Sequence, residues 1–291
     1  IYAGRQDLAN MAKYYEGLIK NFPKTSPAAL AEAHVLLGRA AFDQGDFQSS
    51  ISHMSEAKTL DPQKYGEQVN VLTVLSYHKL QDVNKLKETL ETLQKENPAA
   101  VSRVPDVIPA WLGLQAYGMK DLETADKYMT WATQNDQLQN VKKVIWRNLA
   151  KVRLALKKYD RALVASNNFL KVDDQPYRRA DGMLDKASIL LGLGKYAEAR
   201  KTAEEALALG VEGPLMASLK IVLGDISYAE KKFDEAAKHY GVTAELFVND
   251  AELKPKALFK AAEALDKAGR KSEASQYRAR LQKEFPDWKQ E

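Results

Sequence analysis

The chain has 291 residues, a net charge of +4 at pH 7, 45% hydrophobic residues and no cysteine. The lack of cysteine excludes disulfide bonds and thiol chemistry, and no apolar run approaches the roughly 18 residues that indicate a membrane span. Abundant Ala, Leu, Lys and Glu, without turn-bounded runs of β-branched residues, predict an all-α protein rather than a sheet.

The first predicted helix runs from Leu8 to Phe22, and the chain begins at Ile1 without a methionine. Apolar residues such as Met11 and Tyr15 form one stripe on this helix. We interpret it as the second half of a helical hairpin whose first half is missing, placed to cap the array. The sequence therefore looks truncated. We expect upstream either a cleaved signal or membrane anchor, or a boundary chosen when a fragment was expressed.

Seven predicted helical hairpins follow this half-unit. They cover residues 27–60, 66–96, 107–134, 141–170, 179–209, 215–247 and 255–285. Between the second and the third, Pro98, Pro105 and Pro109 interrupt any continuous helix, so residues 97–109 are predicted to hold a kink or subdomain boundary. Otherwise we predict a single domain over residues 1–291, because each unit of a repeat array buries its face against its neighbours.

The hairpins share a steady period of 36 to 39 residues, which we follow with one marker residue in each second helix. The markers are Met11, Ser50, Leu86, Ala125, Ala162, Ala199, Ala236 and Ala274. In the clearest unit, Gly194 is predicted to take the positive φ that ends one helix, and Ala199 belongs to a slim packing face on the next. Twelve residues before most markers the first helix carries Gly or Ala, as at Gly38 and Gly224, which predicts close contact between paired helices.

This pattern resembles the tetratricopeptide repeat family. The residues that match the family motif are Leu37-Gly38, Ala57 and Pro62, then Leu112-Gly113, Ala125 and Ala132, then Trp146, Leu149, Tyr159 and Ala162, and finally Leu223-Gly224, Phe233, Ala236 and Tyr240. The units are a few residues longer than the usual 34 of the family, and Val74 and Leu86 replace small residues in one of them. Units that end in Phe-Pro, at Phe22-Pro23 and Phe285-Pro286, resemble the variants of bacterial envelope proteins, including outer-membrane assembly lipoproteins.

The fold expected from the repeat pattern and this resemblance is an all-α solenoid of about seven and a half helix-turn-helix repeats. The resemblance further implies a right-handed superhelix whose first helices line a concave surface. In the chaperone-docking members of the family, Lys and Asn side chains on successive first helices hold a terminal carboxylate. That set is missing here, because Val35, Arg39, Val71 and Leu75 occupy the corresponding places.

Motifs for catalysis or cofactor binding are not found in the sequence. Gly192-Leu193-Gly194 lacks the preceding strand and the third glycine of a dinucleotide loop, so we interpret it as part of a repeat. The four histidines have no metal-ligand spacing, and adjacent acids such as Glu204-Glu205 fit a solvated helix face better than paired-carboxylate catalysis. We therefore predict that the protein is not an enzyme and has no catalytic residues, no cofactor and no metal site.

A basic stretch between Asn140 and Ala162 carries eight Lys or Arg residues against one acid. Within it, Lys143, Arg147 and Lys151 are spaced four apart and so share one face of a first helix. The apolar residues between them are needed for packing, which leaves Arg147 and Lys151 free in this interpretation. A solvated helix face is the alternative explanation, and it is the usual one for a charge run.

Inward positions of neighbouring units hold an imidazole and two bulky apolar groups. We predict a partner-binding site made of Tyr117, Leu114, Lys143, Arg147, Lys151 and His78. Basic groups beside apolar anchors suit an acidic segment of another protein. Packing between helices explains Leu114 equally well. Nucleic acid is not expected as a partner, because exposed aromatic residues do not interleave with the charges.

Two functions remain open on this sequence. The leading one is a non-catalytic scaffold whose concave face binds a segment of a partner protein. The alternative is a structural or assembly component of a bacterial cell-envelope complex, which contacts its partners through the convex face and the ends. A periplasmic or outer-membrane-associated location is favoured over a cytoplasmic one, since the lack of cysteine and the expected upstream segment fit an exported protein.

Overall fold

A computed structural model of the protein describes residues 8–22, 24, 26–134, 139–246 and 251–289. These residues contain fifteen α-helices and one 3-10 helix, which confirms the all-α prediction. The side chain of the predicted marker Met11 and the predicted stop at Pro23 lie outside the described part of the chain. The protein forms two compact units, Ile1–Gln115 and Ala116–Glu291.

The first unit begins with the half-hairpin and continues with two full hairpins. Its helices are α1 (Leu8–Asn21), α2 (Pro27–Asp43), α3 (Phe47–Leu60), α4 (Pro62–Leu80), α5 (Val83–Glu96), the 3-10 helix Pro98–Arg103 and the start of α6 (Val107–Gly118). The predicted interruption at residues 97–109 corresponds to the 3-10 helix and the short connection after it. The division between the units falls later, inside α6, which passes from one unit to the other.

The second unit contains the end of α6 and nine further α-helices in its described residues. They are α7 (Leu122–Ala132), α8 (Gln139–Ala155), α9 (Tyr159–Val172), α10 (Pro176–Gly192), α11 (Tyr196–Ala208), α12 (Gly213–Ala229), α13 (Phe233–Leu246), α14 (Leu253–Lys267) and α15 (Lys271–Glu284). Sequential helices pack as antiparallel pairs, and the first helix of one pair also contacts the first helix of the next, as α8 does with α10 and α12 with α14.

The marker residues lie where the paired helices approach most closely. Ser50, Leu86, Ala125, Ala162, Ala199, Ala236 and Ala274 are each 0% exposed. Glycines on the first helices make room at these contacts for large side chains of the second helices. A Cβ added to Gly224 would lie 2.4 Å from the Tyr240 ring, and one added to Gly38 would lie 2.7 Å from Met54 Cε. Val74 and Leu86, the departures from the small-residue pattern, are also completely buried.

The corner of every described hairpin has the same backbone geometry. Five residues before the marker, φ is positive at Gly45 (83°), Gln81 (56°), Lys120 (62°), Lys157 (56°), Gly194 (73°), Lys231 (63°) and Gly269 (81°). At Gly194 the amide donates to the Leu191 carbonyl, and the next amide, of Lys195, donates to the Leu190 carbonyl, both at 2.9 Å. This pair of bonds satisfies carbonyls that the helix end leaves without a partner. The left-handed conformation costs a non-glycine residue about 1 kcal/mol. At the four corners without glycine, the packing of the two helices must offset this cost.

None of the helices in the described ranges combines the length and the apolar character that crossing a bilayer requires.

Candidate functional site

The six predicted partner-binding residues fall in both units. His78 on α4 and Leu114 on α6 belong to the first unit, whereas Tyr117 on α6 and the three cations of α8 belong to the second. The His78 ring packs edge-to-face against Trp111 with 5.3 Å between the centroids, and burial lowers the pKa of the imidazole. Leu114 and Tyr117 are half-buried.

The three cations of α8 are brought together at one concavity. Lys143, Arg147 and Lys151 line a space of about 450 Å³, together with Val144, Asn148, Phe169, Asp173 and Arg178. The spacing of four residues therefore predicted their shared face correctly. We call this space the α8 concavity.

The prediction that Arg147 and Lys151 are free is wrong. Arg147 donates from Nη2 to Asp181 Oδ2, and Lys151 Nζ lies 3.9 Å from Asp185 Oδ2. Both aspartates project from α10, the first helix of the next repeat. Lys143 Nζ similarly lies 3.8 Å from Asp174 Oδ1, just before that helix. We call these three pairs the α8–α10 ion-pair row. Its three aspartates offset the positive charges of Lys143, Arg147 and Lys151.

The innermost acid of this row is not well solvated. Asp185 has a side chain that is 14% exposed, and its Oδ2 atom accepts no hydrogen bond from the described residues. Burial raises the pKa of this carboxyl to about 6, which the nearby Lys151 partly opposes. The row therefore holds one carboxyl that is poised to take up a proton near neutral pH.

Several other cations of the basic stretch form structural ion pairs. Arg153 is buried and donates from Nε to Asp126 Oδ1 at 2.7 Å, while Lys158 Nζ donates to Asp126 Oδ2 at 3.0 Å. Burial opposes ionisation of Asp126, but the hydrogen bonds from these two cations outweigh it and hold the pKa of the carboxyl below its usual range. Arg178 also donates to the buried Asp173, at 2.9 Å. The basic stretch is thus mostly part of the contacts between repeats.

A second concavity, which the sequence did not predict, lies on α14. Its volume is about 630 Å³, and its lining includes Lys256, Phe259, Lys260, Glu263, Trp288 and Lys289. The rings of Phe259 and Trp288 are 5.5 Å apart at their centroids. We call this space the α14 groove.

Both concavities use the same positions of the repeat. In each first helix the lining residues lie 18, 15, 14 and 11 residues before the marker: Val144, Arg147, Asn148 and Lys151 on α8, and Lys256, Phe259, Lys260 and Glu263 on α14. We call this surface the first-helix face. The α14 residues of this face were not predicted from the sequence. They could have been found by counting the same intervals back from the marker in each of the other repeats.

Sequence comparison identifies the repeats. Residues 2–65 and 184–247 match one model of the tetratricopeptide repeat, and residues 256–287 match a second, so that together they cover more than half of the chain. No curated protein sequence matches the chain.

Several solved structures have a similar fold. The apo form of RapI is 15% identical with a TM-score of 0.54, over 90% of this chain and 78% of that one. The Cut9–Hcn1 hetero-tetramer of APC/C is 16% identical with a TM-score of 0.50, over 96% of this chain and 50% of that one. A putative kinesin light chain from Podosopora anserina with TPR-like repeats is 12% identical with a TM-score of 0.50, over 60% and 92%.

At such identities the structural similarity concerns the fold alone. The sequence matches and the helical pairs agree with each other, because the matched residues 184–247 contain α11, α12 and α13 with the markers Ala199 and Ala236. The predicted solenoid of helix-turn-helix repeats is therefore confirmed, and the chain belongs to the tetratricopeptide repeat family.

Proposed function

We propose that this protein is a non-catalytic scaffold that binds a segment of a partner protein on the first-helix face of its second unit. The supporting observation is that the α8 concavity and the α14 groove are lined by equivalent positions of two repeats. Repeats of this family generally serve protein–protein interaction. Charged, amide and aromatic side chains at these positions offer a partner both hydrogen bonds and apolar contact.

The chemistry of the α8 concavity limits which segment fits there. An acidic segment that approached Arg147 or Lys151 would compete with Asp181 and Asp185, which already hold these cations. Asn148 lies between them on the helix and is half-buried in the same lining. We therefore propose that Lys143, Arg147 and Lys151 orient a partner segment by hydrogen bonds, and that they contribute less steering than unpaired cations would.

The other predicted anchors extend this proposal. Tyr117 belongs to the second unit and presents a half-buried ring that suits an apolar contact with the partner. In the first unit, His78 and Leu114 would form a separate contact site. A partner that uses both units would gain affinity from two linked contacts.

Site-specific photocrosslinking tests the proposal. A benzoylphenylalanine side chain is placed at Asn148 on the first-helix face, and at Lys201, whose side chain is 78% exposed on α11, as the matched control. The cross-linked products are identified by mass spectrometry. We expect one partner to be captured from position 148 and not from position 201. Capture of the same partner from 201 alone would contradict the first-helix face as the binding surface.

A second candidate function is supported by exposed apolar side chains at the helix ends of the second unit. Tyr177 is 60% exposed near the start of α10, and Leu209 and Leu246 are 43% and 56% exposed at the ends of α11 and α13. Contacts through these ends would suit an assembly component of a larger complex. The Phe-Pro endings of the repeats favour a bacterial envelope setting for such a complex. Cell fractionation tests that setting, and recovery only in the cytosol would contradict it.

A further inference from the structure

The C-terminal segment 285–289 contributes one wall of the α14 groove, and it is anchored there. Phe285 packs against a cluster formed by Ala244, Ala257 and Leu258, and the ammonium of Lys254 lies 5.9 Å from the centre of its ring. Trp288 then donates its amide to the Phe285 carbonyl at 3.1 Å. Because the segment is fixed at Phe285, the indole of Trp288 is held beside Phe259.

The two aromatic rings form an incompletely buried apolar platform. Phe259 and Trp288 are both half-buried, and the groove that they line is larger in volume than the α8 concavity. Aromatic surfaces of this kind are the usual anchors of protein interfaces, because they bury large areas with little loss of conformational entropy. The platform is thus able to take a bulky side chain from a partner.

Two of the three lysines in the lining of the groove differ from those of the α8 concavity in having no ion-pair partner among the described residues. Lys256 lies one helical turn before Phe259, Lys289 follows Trp288, and neither has an ion-pair partner among the described residues. Lys260 is instead committed to Asp225 at 2.6 Å. Of the acids in the lining, Glu263 lies one turn beyond Phe259, and Glu252 lies one turn before Lys256 and has an interaction of its own. Lys256 and Lys289 are therefore the two lysines of the groove that can pair with acids of a partner.

We propose that the α14 groove binds an acidic segment of a partner protein, with an aromatic or large aliphatic side chain of that segment seated on Phe259 and Trp288. Lys256 and Lys289 pair with the carboxylates of the segment. This proposal rests on the proposed function and adds the chemistry of the partner. The sequence analysis predicted basic groups on α8 beside apolar anchors on α6. The present proposal assigns the same combination of chemistry to α14, three repeats after α8.

Binding of defined peptides tests this proposal directly. The probes are a fluorescein-labelled peptide rich in Glu and Asp with one central Phe, the same peptide with Ala in place of Phe, and a Lys-rich peptide with Phe. Affinity is measured by fluorescence anisotropy with the full chain. We expect saturable binding of the acidic Phe peptide, with weaker binding of the other two.

Variants of the groove then separate charge from apolar contact. Lys256→Gln with Lys289→Gln should raise the Kd by about tenfold, since two exposed ion pairs are lost. The matched Lys256→Arg with Lys289→Arg should keep the affinity. Trp288→Ala should also raise the Kd by about tenfold, and Trp288→Phe should lose less. Glu263→Gln, which removes an acid from the same lining, should tighten binding of the acidic peptide.

Three results would overturn the proposal: no saturable binding of the acidic Phe peptide, tighter binding of the Lys-rich peptide, or equal affinities for the parent and the double Gln variant. Thermal unfolding of each variant verifies that the groove is folded. The photocrosslinking experiment at Asn148 does not depend on these peptides. Partner capture there with no peptide binding would reject the chemistry assigned to the α14 groove and leave the scaffold function standing.

Discussion

Two junctions between first helices in the second unit carry ion pairs of opposite polarity at equivalent positions. At the first, Lys151 of α8 lies 3.9 Å from Asp185 of α10, whereas at the second Asp225 of α12 accepts from Lys260 of α14 at 2.6 Å. In both pairs the residue on the earlier helix, Lys151 or Asp225, lies eleven residues before the marker of its own repeat. The residue on the later helix, Asp185 or Lys260, lies fourteen residues before the marker of its repeat. The repeat geometry therefore fixes which positions meet, and the sequence chooses the sign of the charge.

The sign of the charge is also reversed between two repeats at the position one residue after the marker. Asp126 of α7 pairs with two cations of the next repeat, Arg153 and Lys158, whereas Arg200 of α11 pairs with two acids of the next repeat, Glu230 and Glu235. This arrangement penalises a wrong order of repeats. If α14 packed after α8, for example, Lys151 would face Lys260, and like charges at a contact are unfavourable. Charge polarity thus distinguishes repeats whose helices are otherwise alike.

The largest loss of stability is expected at the ion-pair cluster around Asp126, which is more buried than the cluster around Arg200. Arg153→Leu leaves the buried Asp126 with Lys158 as its one remaining cation, and should lower the free energy of unfolding by about 3 kcal/mol. The matched Arg200→Leu, at a side chain that is 21% exposed, should cost about 1 kcal/mol. Urea denaturation followed by circular dichroism measures both. Equal and small losses would show that burial does not distinguish the two clusters.

The next largest loss of stability is expected at the apolar contacts between paired helices. Ala199→Leu or Ala236→Leu should destabilise the protein by about 1–3 kcal/mol through overpacking at a completely buried position. Ala197→Leu, at an exposed position of α11, is the control and should change stability by less than about 0.5 kcal/mol. Thermal midpoints that do not differ between Ala199→Leu and Ala197→Leu would contradict tight packing at the markers.

The helices and corners followed from the sequence because they depend on local signals and on one repeated interval. Ala199 and its equivalents identified the contact positions, and Gly194 identified a corner. The corners at Gln81, Lys120, Lys157 and Lys231 carry no such local signal, since residues other than glycine seldom adopt positive φ, and only the repeated interval marks them.

The site was predicted less completely, because its contacts join residues of different repeats. Lys151 and Arg147 were judged free from the composition of one helix, but their partners Asp185 and Asp181 both lie 34 residues further along the chain. A search for opposite charges at that interval would have found them. The α14 groove depends on the fold of the C-terminal segment around Trp288, for which the sequence has no periodic signal.

The pH dependence of stability tests the unusual acid of the α8–α10 ion-pair row. The folded protein raises the pKa of Asp185 to about 6, so the stabilising effect of its protonated form is present below pH 4 and is lost as the pH rises through 6. Asp185→Asn should therefore gain roughly 1–2 kcal/mol relative to the parent between pH 4 and pH 7. Denaturation at several pH values measures this difference, and a constant difference would contradict the raised pKa.

The smallest change in stability is expected when the charges of the Lys151–Asp185 pair are exchanged. Lys151→Asp or Asp185→Lys alone places like charges together and should cost about 1 kcal/mol in a partly exposed row. The double exchange, Lys151→Asp with Asp185→Lys, should recover at least half of that loss, because the α12–α14 junction already uses the opposite polarity. No recovery in this double-mutant cycle would mean that the position does require a particular sign.

Lys143 and Lys151 of α8 lie beside aspartates of the next repeat, whereas Lys256 and Lys289 of the α14 groove have no ion-pair partner among the described residues. Acetylation of lysines under limiting reagent, followed site by site by mass spectrometry, measures this directly on the unliganded protein. Lys256 and Lys289 should react about as fast as the exposed Lys267, and Lys151 and Lys260 several times more slowly. Reaction of Lys151 as fast as Lys256 would contradict the distinction on which the two binding chemistries rest.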